Sequence, residues 1–177
     1  FRFSPGPIFS NVVLADEINR TPPKTQASLL EAMEERQVTV SGETRPLESP
    51  FFVLATQNPI ELEGTYPLPE AQLDRFLLNP VIDYLSMEDE IKMVGETTGV
   101  TREDAEPVLS GENIMQLQNL TREIPVSESV VSYAVELSSA SRPKSPSCDE
   151  WTQKRDKWGA GSRASQALIL APKAKAL

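Results

Sequence analysis

Histidine is absent from this 177-residue chain, which removes Ser-His-Asp and Cys-His catalysis, His-ligated metals and the usual neutral-pH base together. Any base must be Asp, Glu, Lys or Tyr. Cys148 is the one cysteine, so an intrachain disulfide and a cysteine-rich zinc site are both excluded. No apolar run approaches the roughly 20 residues that span a bilayer, and the first residues lack the basic-then-apolar layout of a secretory signal. The cytoplasm is therefore the expected compartment. An initiator Met is missing too: the chain opens at Phe1 in Phe-Arg-Phe-Ser-Pro-Gly-Pro, with no capping or start signal, as a fragment of a longer protein does.

What is present is a globular composition, 39% hydrophobic, long enough for one domain or parts of two. The formal charge of −9 argues against a nucleic-acid partner, which would want a basic patch or stripe. The charge is uneven. Residues 85–141 carry three basic and eleven acidic side chains, whereas residues 142–177 carry eight basic and three acidic. The basic end could approach an anionic ligand, or form a solvated face.

Two apolar runs organise the first half. Ile8 to Ala15 reads as a buried strand ending at the adjacent carboxylates Asp16 and Glu17, and Phe51 to Thr56 reads as a second. Between them Pro22-Pro23 opens a helix, Lys24 to Arg36, whose Leu29, Leu30 and Met33 share one side. Gln37–Val40 and Glu43–Leu47 flank Ser41-Gly42 as a small projecting hairpin. A helix between two such runs implies a parallel, right-handed β-α-β unit covered on both faces. A Pro- and Gly-rich loop, Asn58 to Pro69, precedes a short helix, Glu70 to Phe76, and a third strand candidate, Leu77 to Ile82. Beyond Tyr84 helical patterns take over. Ser86-Met-Glu-Asp89 is a capping-box-like start, and a helix headed by Ser127 carries the stripe Val130, Val131, Ala134, Val135 and Leu137. A boundary is expected near residues 83–86, dividing a core of residues 1–84 from an all-helical module of residues 85–177.

If the two runs are parallel neighbours, Asp16-Glu17 and Thr56-Gln57-Asn58 end along one crevice. Nucleotide hydrolysis needs one carboxylate near Mg²⁺ and a second to orient or deprotonate water, and an Asn can hold that water without adding charge. The same residues also fit a strand with an acidic turn and ordinary Asn-Pro turn chemistry. Arg75, in Leu73-Asp-Arg-Phe-Leu77, could neutralise charge on a neighbouring subunit's nucleotide or make a surface ion pair. Arg163, in Gly159-Ala-Gly-Ser-Arg-Ala-Ser165, could reach phosphate or decorate a helix start.

Order and spacing resemble the MoxR group of AAA+ ATPases from Phe3 to Leu177. Asp16-Glu-Ile-Asn-Arg20, Pro23-Lys-Thr-Gln26 and Leu30 to Val40 resemble the Walker B strand and its helix. Ala55-Thr-Gln-Asn-Pro59 is similar to sensor 1, and Glu63 to Phe76 to the loop and arginine-finger helix. The resemblance implies an α/β fold: the C-terminal part of a P-loop αβα core with a parallel sheet, followed by a helical lid. It implies a chaperone-like, ATP- and Mg²⁺-dependent remodeller, hexameric, often partnered by a von Willebrand factor A domain protein. In it Asp16 helps hold Mg²⁺, Glu17 activates water, Asn58 positions that water, Arg75 acts in trans and Arg163 is the sensor 2 arginine. The hairpin from Gln37 to Leu47 resembles the insert before sensor 1.

Three features depart from the family pattern. None of the eight glycines belongs to a Gly-x-x-x-x-Gly-Lys-Ser/Thr loop, which the family places upstream of Phe1; without it, this stretch alone is expected to bind ATP poorly and to be inactive. Ser162 stands where Pro commonly precedes the arginine. Pro172 interrupts Ala167 to Lys173 and predicts a short final helix. Two other readings share these residues: a non-hydrolytic assembly module that kept an AAA+ surface, and a magnesium-chelatase-like motor subunit.

Overall fold

A computed structural model of the chain describes residues 3–58, 64–99 and 105–177. Among the described residues the apolar run before Asp16 forms less strand than its pattern suggests. Pro7–Phe9 is a 3-10 turn, and β1 covers Val12–Ala15 alone, because Pro7 supplies no amide for a ladder and favours the turn. Helix α1, Pro23–Glu35, starts with proline at a first-turn position, where a missing N–H costs nothing. Arg36 caps its end in the left-handed region (φ 55°), its amide returning to the Ala32 carbonyl.

The chain then makes an antiparallel hairpin, β2 (Gln37–Val40) with β3 (Glu43–Pro46). Ser41 and Gly42 both hold positive φ, the pair of conformations a two-residue hairpin turn needs. The hairpin does not project freely as expected. Val38 and Leu47 are buried with Ala32 and Phe51, because one side of the hairpin carries the apolar residues that close this end of the core. β4, Phe52–Ala55, pairs parallel to β1 in the register Val12 with Phe52 through Ala15 with Ala55. Asn11 pins the entrance to this pairing, donating from Nδ2 to the Pro50 carbonyl while its own carbonyl accepts the Phe52 amide.

The strand pair is covered on one face. Val13, Ala15, Val53 and Ala55 pack toward the core formed by α1, the hairpin and Leu68, while Val12, Leu14, Phe52 and Leu54 remain about half or more exposed. Alternation along the strand makes this split unavoidable once helices cover a single side. Burial on both faces is thus not found among the described residues.

Helix α2, Glu70–Leu73, is shorter than the expected Glu70 to Phe76, and Leu77 to Ile82 forms no strand. Those apolar residues lie exposed with no ladder partner among the described residues. Among the described residues five helices follow: α3 (Met87–Thr97), α4 (Gly111–Glu123), α5 (Glu128–Ala140), α6 (Glu150–Arg155) and α7 (Ser162–Lys175). Ser86 caps α3 by accepting the Asp89 amide, as the capping-box pattern predicts. In α5 the small residues Ala134 and Ser138 take the buried positions, whereas Val130, Val131, Val135 and Leu137 stay exposed, contrary to the expected stripe. Helix α7 continues past Pro172. Packing on α4 and α5, with Lys173 Nζ donating to the Arg122 carbonyl, offsets the backbone bond that proline removes. Cys148 is buried, and that burial, with Asp149 and Asp156 nearby, pushes its thiol pKa up, which suits an inert side chain.

No helix among the described residues is long and apolar enough to cross a membrane. Leu29 sits in the α1 core with Ile18 and Leu68; truncating it to Ala is expected to cost about 2–5 kcal/mol. Val12→Ala on the open sheet face should change stability by less than about 0.5 kcal/mol. Urea denaturation of both variants checks the contrast.

Candidate active site

Parallel pairing brings residues 40 positions apart to one edge of the sheet. At that edge Thr56 Oγ1 donates to Asp16 Oδ1 at 2.6 Å and accepts the Glu17 amide at 2.8 Å. The Thr56 carbonyl also takes the Ile18 amide at 3.0 Å. Glu17 sits in the left-handed region, φ 48° and ψ 51°, a conformation that a non-glycine residue adopts at a cost and holds only when its surroundings determine it. The two bonds to Thr56 are that determination.

The Glu17 carboxylate is held at both oxygens. Arg20 Nε lies 2.9 Å from Oε2, and Asn58 Nδ2 donates to Oε1 at 3.4 Å. Asn58 is fixed in turn through its carbonyl, which accepts Asn19 Nδ2 at 3.1 Å. Beneath them buried Gln26 donates from Nε2 to the carbonyls of Ile18 and Tyr66, and the Asn19 carbonyl takes the Tyr66 amide. The loop after residue 63 is thereby tied to the turn after β1. Pro59 and residues 60–63, which belong to the predicted sensor 1 segment and loop, lie outside the described residues.

Asp16, Glu17 and Asn58 are therefore brought together, and Arg75 and Arg163 are not brought to them. Those two arginines meet each other's counter-ion instead. Arg75 Nη1 pairs with Glu34 Oε2, and Arg163 Nη2 lies 2.7 Å from Glu34 Oε1. Arg163 Nη1 also approaches Asp74 Oδ2 at 3.9 Å. Sequence reasoning did not single out Thr56 as a bridge, Asn19 and Gln26 as supports, or Glu34 as a partner. Only Asn19 and Gln26 carried a signal, as polar residues at positions where a helix and turn face the core.

Parallel strands ending together on two carboxylates, backed by a helix on one face, form part of an α/β core, and sequence and fold likeness place that core with the AAA+ ATPases. Residues 1–78 match the model of the ATPase family associated with various cellular activities (AAA). Across the whole chain the sequence is 47% identical to the uncharacterized protein YeaC of Bacillus subtilis, covering 53% of that protein. It is 43% identical to Chaperone MoxR1 of Mycobacterium tuberculosis over 97% of the chain and 45% of the relative. A crystal structure of a proposed ATPase from Cytophaga hutchinsonii superposes with a TM-score of 0.88 at 41% identity, covering 98% of the chain and 53% of that structure. The chain spans about half the length of the curated relatives it matches across its whole sequence. It belongs to the MoxR family of AAA+ ATPases.

Replacing Thr56 by Val keeps the shape and deletes the hydroxyl that joins Asp16 to Glu17. The expected loss is about 1 kcal/mol of stability, read by urea denaturation. Thr56→Ser, which keeps the hydroxyl, should lose less.

Proposed function

We propose that this chain supplies the hydrolytic edge and the lid of a MoxR-type subunit that spends ATP on remodelling partner proteins. The observation that carries the reading is the Thr56 hydroxyl, which bonds the Asp16 carboxylate and the Glu17 backbone amide at the strand ends, with the Asn58 amide on the Glu17 carboxylate. In this reading residues 1–84 are part of the AAA+ core and residues 85–177 are the helical lid.

The donor set fits a magnesium nucleotide. Among the described residues no three acidic, His or Cys side chains converge into a metal cage; Mg²⁺ held mainly by phosphate and water needs only one or two carboxylates. Asp16, steadied by the Thr56 hydroxyl, would hold it. When bound, the ion neutralises charge that builds on the phosphate oxygens. Glu17 takes the proton of the attacking water, and the bonds from Arg20 and Asn58 keep its carboxylate from turning away. Asn58 orients that water through an uncharged amide. Arg75 acts on the nucleotide of an adjoining protomer, where a guanidinium can stabilise transition-state charge. Arg163 approaches phosphate from the lid.

A trans role for Arg75 needs head-to-tail contacts between protomers, which form a ring where the rotation closes, and the family resemblance makes that ring a hexamer. A von Willebrand factor A domain protein as partner, and a cytoplasmic setting, complete the proposal. The net charge of −9 keeps nucleic acid out of it.

The test uses the complete gene product. Glu17→Gln should retain nucleotide while turnover falls about a hundredfold or more, the range general-base removal produces. Arg75→Ala should lose roughly a thousandfold in turnover with nucleotide affinity within a few fold. Unchanged turnover in Glu17→Gln removes Glu17 as base, and a protein that neither binds nor hydrolyses ATP is an assembly module instead.

A further inference from the structure

Glu34 is the penultimate residue of α1, and its two carboxylate oxygens are divided between two arginines from distant parts of the chain. Oε2 pairs with Arg75, just beyond α2, and Oε1 pairs with Arg163, 129 positions away in the first turn of α7. Asp74 completes an alternating row of four charges by approaching Arg163 from the other side. All four side chains are between 31% and 42% exposed, so they sit at the surface rather than in the core. The start of α7 is seated tightly there: a Cβ on Gly161 would come within 2.8 Å of the Asp74 carboxylate.

Two guanidinium groups repel at close range unless a shared anion lies between them. Glu34 is that anion, and it leaves most of the ten N–H donors of the pair unused. Both arginines line two adjoining clefts of about 210 and 180 Å³. The pair is also anchored at the other end of α1 from the turn that carries Glu17. Gln26, bonded to the Ile18 carbonyl beside Glu17, lies eight residues before Glu34, roughly 12 Å along the helix axis. A group that serves the chain's own Glu17 would not be anchored at the far end of α1.

We infer that Glu34 is a positioning residue that yokes Arg75 and Arg163 side by side, so that both guanidinium groups meet the same anionic phosphate on an adjoining protomer. The inference rests on the ATPase reading above and adds to it a residue and a joint site of action. A mere tether between helix and lid would act within its own subunit. A positioning residue for a trans pair acts on the neighbour, and subunit mixing separates the two.

In the complete gene product, Glu34→Gln keeps hydrogen-bonding atoms and removes the charge. Its turnover should fall roughly tenfold or more, with KM and assembly near wild type. Mixed with Glu17→Gln subunits, which keep an intact arginine pair, it should regain activity, because random rings place about a quarter of junctions between a sound nucleotide site and a sound pair. Arg163→Ala, which leaves Glu34 in place, should recover in the same mixture and serves as the second variant; Arg75→Ala is the reference for trans action. The inference is overturned if Glu34→Gln keeps full turnover, or if Glu34→Gln and Arg163→Ala both stay inactive on mixing while Arg75→Ala recovers. If Arg75→Ala also fails to recover, the trans reading falls and takes the inference with it; absence of ATP turnover in the wild-type protein removes the ATPase reading itself.

Discussion

Parallel pairing of Val12–Ala15 with Phe52–Ala55 is the constraint on which the rest of this molecule depends. In a parallel pair both strands run out at the same edge, so the residues that follow each one meet there however far apart they lie in the chain. Here that places Thr56 against Asp16 and Glu17, and Asn58 against Glu17. A parallel pair also needs a crossover, and α1 with the small hairpin provides it. The helix covers one face of the strands and at its end presents Glu34. The acidic edge and the arginine pair are thus set by the same β-α-β frame, at opposite ends of one helix.

Strain and support at the edge are matched. Glu17 adopts a left-handed backbone that carries a cost without glycine, and the groups that hold it are the Thr56 hydroxyl on its amide, the Thr56 carbonyl on the next amide, the Arg20 side chain and the Asn58 amide. Such a residue, held rather than relaxed, is what a carboxylate needs if its direction matters more than its stability. Behind it, buried Asn19 and Gln26 bond to backbone carbonyls, which ties the turn to the neighbouring loop.

Much of this was legible in the residues. The two apolar runs, the Pro22-Pro23 helix start, the Ser41-Gly42 turn and the Ser86 cap all appear where local stereochemistry requires them, and Asp16, Glu17 and Asn58 do converge. Other features were not legible, each for a physical reason. Pro7 diverts the start of the first run into a turn. Leu77 to Ile82 has strand-like composition and no partner to pair with, so composition alone could not decide it. The α5 stripe is apolar, yet helix packing selected the small face of Ala134 and Ser138, because close approach rewards small side chains. Pro172 is tolerated in α7 since tertiary contacts outweigh one lost backbone bond.

By itself the sequence determined the local elements, the acidic strand end and the exclusion of histidine and disulfide chemistry, because these depend on neighbours in the chain: side-chain periodicity, φ restriction and the inventory of functional groups. Tertiary structure alone decided that Thr56 would join the two acids, that one sheet face would stay open, and that Glu34 would gather Arg75 and Arg163. Those outcomes depend on contacts across 39 to 129 positions, and no local pattern specifies which distant charge a side chain will meet once the backbone has folded around it.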